Sequence, residues 1–294
     1  MPSAPAGDPN RFLVETDWLA DRLGDPQLRV FDCSVRLIPD PQLQYRVEDC
    51  RADYRAGHVP GAGYIDLHND LSDKQTGLRF MAPTPEAFAR AMSRYGVDDS
   101  TRVVLYAKGT WYWATRVWWM LRANGFDNAA VLNGGWQKWQ AEGRPIATGE
   151  ESYPAARFVS RPRPELFCDK HAVLAAIADP QTKIINALTP EQHAGTGGTA
   201  FGRPGHIKNS VNVSAKDLVD GNNVLLPPAE LRRRFAAVGA LDASRCILYC
   251  GGGISATGNA FALSLLGYAA ITVYDGSLNE WGSDPALPME TGLR

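Results

Sequence analysis

Short apolar runs alternate along this chain with stretches of helical periodicity, the pattern expected of parallel strands joined by crossover helices. The strand candidates are Leu28 to Asp32, Val103 to Tyr106 and Ala130 to Leu132, followed by Lys183 to Asn186, Cys246 to Tyr249 and Ile271 to Tyr274. An amphipathic segment precedes the central strand of each set. Phe88, Met92 and Tyr95 in one, and Leu231, Phe235 and Val238 in the other, recur at i, i+4 and i+7. Pro85 and Pro228 suit the first turns of these helices, and Gly96 and Gly239 suit their ends. A second pair of helices is expected after the central strands, from Ala114 to Ala123 and from Ala256 to Leu266, with Gly125 and Gly267 as their stops.

The two sets are copies of one another. Gly57-His58-Val59-Pro60-Gly61-Ala62 is echoed by Gly205-His206-Ile207-Lys208-Asn209-Ser210, and Val103-Val104-Leu105-Tyr106-Ala107 by Cys246-Ile247-Leu248-Tyr249-Cys250. Asn133-Gly134-Gly135-Trp136-Gln137-Lys138-Trp139 is likewise echoed by Asp275-Gly276-Ser277-Leu278-Asn279-Glu280-Trp281. The offset drifts from 148 at His58 and His206 to 142 at Trp139 and Trp281, which loop insertions explain. The expected architecture is α/β, with two domains, each a parallel sheet flanked by helices on both faces. The domains are expected at residues 1–142 and 165–294, joined by a proline- and glycine-bearing surface linker over 143–164.

Bulk properties narrow the function classes. A chain of 294 residues, 45% hydrophobic, can build a core for each of two domains, and a net charge of -2 gives no global attraction to nucleic acid or anionic membrane. Arg232-Arg233-Arg234 falls in a helical pattern and reads as a solvated face. Met1 to Gly7 lacks a basic region followed by an apolar stretch, and no later run is long enough to span a bilayer, so a cytoplasmic location is expected. The five cysteines read as reduced thiols. Cys246 and Cys250 on one strand would be about 13 Å apart, beyond disulfide reach.

Cys250 concentrates the chemistry. It ends the apolar run Cys246-Ile247-Leu248-Tyr249 and opens Cys250-Gly251-Gly252-Gly253-Ile254-Ser255-Ala256, which leads into a helix. A thiol there meets backbone N–H groups and a helix N-terminus, which favour thiolate. Three glycines allow the loop to curl around the sulfur, whereas a buried structural cysteine would have no use for them. The amides of Gly251, Gly252, Gly253, Ile254, Ser255 and Ala256 are the candidate anion-holding groups. Asp275 and Ser277 follow the last strand, on the rim where the Cys250 loop is also expected, and read either as supporting that loop or as satisfying a local turn.

The duplicated layout, the Gly-His-Val-Pro-Gly-Ala stretch, the strand-Cys250-loop-helix and Asp275-Gly276-Ser277 before Glu280-Trp281 together resemble the tandem-domain rhodanese family, the thiosulfate and 3-mercaptopyruvate sulfurtransferases. The resemblance covers about the whole chain. It implies two rhodanese-like domains and a sulfane sulfur carried on Cys250 as a persulfide, then passed to a thiophilic acceptor such as cyanide or a thiol, without a cofactor or metal. Ala107 stands where Cys250 stands in the other copy, so the first domain looks noncatalytic. His58 and Asp49 match a histidine and an acid of the mercaptopyruvate subgroup, although His58 also suits a turn before Pro60.

Donor preference is drawn in two directions. Thiosulfate-preferring relatives usually have basic residues after the cysteine, where this chain has Gly251 and Gly252. The loop leans toward the mercaptopyruvate subgroup, yet Asn186-Ala187-Leu188 stands where that family commonly reads Asp-Ala-Arg. Arg203, His206 and Lys208 are the nearby residues that would have to compensate. Other enzymes with an amide-lined cysteine fit less well: a phosphatase loop needs an arginine where Ala256 stands, and a thioredoxin-like pair needs a second cysteine where Gly253 stands. The remaining rival is a persulfide carrier or sensor that docks a partner protein and turns over small donors slowly.

Overall fold

The computed structural model describes residues 11–40, 44–199 and 201–292; Met1 to Gly7, read above for a leader, lies outside them. The described residues form two compact units. One comprises the residues up to Asp73, Ala82–Arg163 and Gly221–Val224; the other comprises Lys74–Met81, Pro164–Asp220 and the residues from Leu225.

The strands of the first unit are β1 (Leu13–Val14), β2 (Leu28–Asp32), β3 (Val35–Asp40), β4 (Gln44–Asp49), β5 (Gly63–Tyr64), β6 (Arg102–Tyr106) and β7 (Ala129–Leu132). Those of the second are β8 (Phe167–Cys168), β9 (Thr182–Asn186), β10 (His206–Ile207), β11 (Val211–Asn212), β12 (Arg245–Tyr249), β13 (Ile271–Tyr274) and β14 (Met289–Glu290). Each unit has a five-stranded parallel sheet, in the orders β1-β7-β6-β2-β5 and β8-β13-β12-β9-β11. The order is the same in both, which makes the repetition seen in the sequence a repetition of topology.

Burial explains the elements. Cys246, Ile247, Leu248 and Tyr249 have no exposed surface, because β12 lies between β9 and β13 and crossover helices cover such a sheet. The helices Pro85–Arg94 and Pro228–Ala237 precede the central strands, and Tyr112–Ala123 and Ser255–Leu265 follow them. Thr84 caps the first of these by accepting from Ala87 N at 3.3 Å. Arg233 and Arg234 on Pro228–Ala237 pair with Glu230, as a solvated face allows. Trp118 lies in the first unit's core, edge-on to Phe12, with Nε1 donating to Ala129 O.

The duplication extends to single hydrogen bonds. Tyr106 Oη accepts from Val59 N at 3.2 Å, and Tyr249 Oη from Ile207 N at 3.0 Å. Trp139 Nε1 donates to Pro145 O, and Trp281 Nε1 to Pro288 O. His58 stacks on Tyr54 and its Nδ1 bonds Tyr54 O; His206 stacks on His193 and its Nδ1 bonds His193 O.

The segment read as a linker is extended but tied to the first unit. Ala156 N donates to Ser93 O, Arg161 N to Asn124 O and Arg163 N to Ala123 O, while Phe158 packs against Phe88 and Phe126. Composition announces a surface path; these bonds dock it. Among the described residues no helix is long and apolar enough to cross a membrane.

Candidate active site

Three strand ends of the second unit converge on one rim. Tyr249 pairs with Asn186 and Leu248 with Val273, so the turns after β9, β12 and β13 emerge side by side. Cys250 follows β12 directly and is 2% exposed. The chain then curls: Gly253 adopts φ +73, and the helix begins at Ser255.

Ser277 pins this curl. Its Oγ accepts from Cys250 N and from Gly253 N, each at 3.1 Å, and donates to Tyr274 O at 2.8 Å. Farther along, Leu278 N donates to Cys250 O and Asn279 N to Gly251 O, binding the loop to the helix Ser277–Trp281. The N–H groups of Gly251, Gly252, Ile254, Ser255 and Ala256 donate to no acceptor among the described residues. Of the six amides named from the sequence, Gly253's is therefore engaged by Ser277 and five are open. Backbone N–H groups so placed suit an anion. Within the run 251–256 only Gly252 is partly exposed, which marks the way in.

The other thiols are unsuited to nucleophilic work. Desolvation by burial pushes up Cys33 and Cys246, raises Cys50 to about 11 and raises Cys168 to about 12. Asp275 is buried beside this last thiol and adds to its rise.

Several sequence candidates take local roles. His58 is fully buried, bonded to Tyr54 O at 2.9 Å, with Nε2 3.5 Å from Glu151 Oε1. Asp49 is exposed at the end of β4, and its Oδ1 accepts from Arg51 N at the start of the helix Arg51–Ala56. Arg203 donates to Asp284 O at 2.7 Å and Leu287 O at 2.8 Å and reaches Gly282 O and Trp281 O, which makes it a clamp on backbone and leaves no fork for a donor. His206 is 1% exposed, and Lys208 N donates to Pro288 O. Leu188, at the place of the family arginine, packs on the core; its N–H donates to Asn186 Oδ1.

Two neighbours of the loop escaped sequence reasoning. The Phe201 ring lies against Gly251, and Asn279 Nδ2 lies against Gly252. The only hint of Phe201 was the glycine-rich run from Gly195 to Gly205, which has no counterpart between Ala56 and His58.

A rhodanese-like domain model matches residues 15–142 and again residues 169–284. The chain belongs to the rhodanese family. Its two rhodanese domains carry Ala107 and Cys250 at the corresponding strand end. Among relatives, the rhodanese is 33% identical over 95% of its length to a probable 3-mercaptopyruvate sulfurtransferase of Pseudomonas aeruginosa, covering 98% of that protein. It is 32% identical, over 95% of its length and 78% of the other, to thiosulfate/3-mercaptopyruvate sulfurtransferase 1 of Arabidopsis thaliana. The crystal structure of SseA from Escherichia coli, a 3-mercaptopyruvate sulfotransferase, superposes with a TM-score of 0.79 at 30% identity, over 90% of this chain and 98% of that one.

Proposed function

We propose that this rhodanese is a sulfurtransferase that takes a sulfur atom from 3-mercaptopyruvate or thiosulfate onto Cys250, holds it there as a sulfane sulfur, and hands it to a thiophilic acceptor. In the first step the Cys250 thiolate attacks the donor sulfur. The new Sγ–S bond forms as the donor's own bond to that sulfur breaks, and the electron pair leaves with pyruvate, after protonation, or with sulfite. In the second step a cyanide or thiolate attacks the outer sulfur, and Cys250 departs as thiolate.

One observation carries this reading: the open amides of Gly251, Gly252, Ile254, Ser255 and Ala256 around the end of β12. They offer hydrogen bonds to a persulfide anion without a counter-charge, and their dipoles are set before reaction begins. The first domain has Ala107 at this place and is assigned a noncatalytic role.

The test is Cys250→Ser, nearly isosteric. The wild-type chain should gain one sulfur atom on Cys250 with either donor, by mass spectrometry, and lose it to cyanide over repeated cycles. The variant should gain none while keeping its circular dichroism spectrum. A serine variant that still transfers sulfur would remove Cys250 from the mechanism. Stable loading without turnover would favour the carrier reading, which the commitment of Arg203 to backbone carbonyls supports.

A further inference from the structure

We propose that Phe201 selects the donor by keeping the position beside Cys250 free of any side chain, and so free of positive charge; this rests on Cys250 being the sulfur carrier. A Cβ built at Gly251 would lie 2.2, 2.3 and 2.6 Å from three carbons of the Phe201 ring. No residue but glycine fits there while the ring stays. The ring is partly buried against the second domain's core, and the backbone that carries it is held in place. A Cβ at Gly282 would meet Phe201 O at 2.1 Å, and one at Gly202 would meet the Gly282 carbonyl at 2.5 Å, so the two segments run in direct contact. Arg203 fastens the same stretch through Asp284 O and Leu287 O.

The first domain shows what the position accepts without such a ring. Lys108 occupies the place of Gly251, bends over Trp136 at 4.8 Å, and donates to Asp53 O and Gly57 O. Trp136 corresponds to Leu278, which lines a small cavity with Phe201, Leu188 and Arg203 in the second domain. The fold therefore tolerates a lysine after the central strand. In the second domain the inserted run from Gly195 to Gly205 brings an aromatic ring to that place instead. The surroundings of Cys250 then present amide dipoles and the carboxamide of Asn279, which suit a donor of low charge near its sulfur, such as an organic 2-oxo acid thiol. A dianionic inorganic donor would gain from the excluded cation.

The experiment compares kcat/KM for thiosulfate and 3-mercaptopyruvate in wild type, Phe201→Ala, Gly251→Lys and Phe201→Ala/Gly251→Lys. Gly251→Lys alone should lose folding or activity with both donors. The double variant should fold, and its thiosulfate kcat/KM should exceed that of Phe201→Ala by about tenfold, the scale of one charge-assisted contact. Gly251→Ala and Phe201→Ala/Gly251→Ala read the steric claim without charge: the first should melt well below wild type, and the second should melt above the first. The proposal falls if Gly251→Lys gains thiosulfate activity with Phe201 in place. It also falls if the double variant shows no gain over Phe201→Ala, or if Gly251→Ala is no less stable than wild type. Absence of sulfur on wild-type Cys250 would instead defeat the carrier assignment, leaving the steric comparison intact.

Discussion

Ser277 binds Cys250 at the backbone: its Oγ accepts from Cys250 N at 3.1 Å and from Gly253 N at 3.1 Å, and donates a hydrogen bond to Tyr274 O. The residue adopts φ +49, where the first domain has Gly135 at φ +51. At this position only the domain with the cysteine loop keeps a side chain in the disfavoured backbone region, and the two N–H groups it satisfies account for that.

Ser277→Ala should therefore strand two buried donors. Each unsatisfied group costs about 1–3 kcal/mol, so the stability loss should be a few kcal/mol. The loop would lose its pin, and kcat/KM should drop by about 100-fold, comparable to removal of one preorganised catalytic hydrogen bond. Ser277→Gly separates the two effects, because it relieves the backbone yet also lacks the hydroxyl. Its activity should match that of the alanine variant while its stability is higher. An alanine variant with wild-type kcat/KM would show that the carbonyl bonds from Leu278 and Asn279 suffice to hold the loop.

The principal strands were legible because each is buried on both faces and reads as an unbroken apolar run. β2 and β13 have the bounds read from the chain, whereas β6, β7, β9 and β12 begin one residue earlier. Arg102 and Arg245 show why: the ladder pairs their backbones with Leu28 and Thr182 whatever their side chains prefer. Two-residue strands such as β5 and β11 carry no periodicity, and Pro39 disguises the hairpin of β3 and β4. At the site, Cys250 and its glycines were legible because they are contiguous. Phe201 was not, because its contact with Gly251 depends on the path of an insertion, and glycines disclose that a chain bends without disclosing where it goes.

The first domain should not be rescued by a cysteine. Ala107→Cys would put a thiol after β6, but Gly135 has no hydroxyl to gather the loop amides as Ser277 does. Lys108 N is already engaged by Ser34 Oγ at 2.7 Å, and Asp32, opposite Tyr106, is a carboxyl whose ionisation burial opposes and Ser34 partly restores. In a Cys250→Ser background, Ala107→Cys should give no sulfur transfer above the single variant with either donor, and its new thiol should alkylate slowly at neutral pH. Turnover in that double variant would mean that the cysteine alone, and not its cradle, makes the site.

The stacked pair His193 and His206, 3.8 Å apart, should make the second domain acid-sensitive. Burial, helped by the neighbouring His206, lowers His193 from the usual 6.5 to about 4. Between these values the unfolded chain holds a proton that the folded chain refuses, so the unfolded state binds more protons and stability rises with pH. The contribution is complete above pH 6.5 and is lost as pH falls toward 4, at about 1.4 kcal/mol per pH unit and about 3 kcal/mol at most. At the place of His193 the first domain has Tyr54, stacked on His58. His193→Phe keeps an aromatic ring against His206 and removes the titration. Urea unfolding of the second domain, followed at pH 7.0 and about pH 5, should show a smaller loss of stability in the variant than in wild type by about 2 kcal/mol. Equal losses in the two proteins would mean that His193 is protonated in the folded state and that the acid sensitivity arises elsewhere.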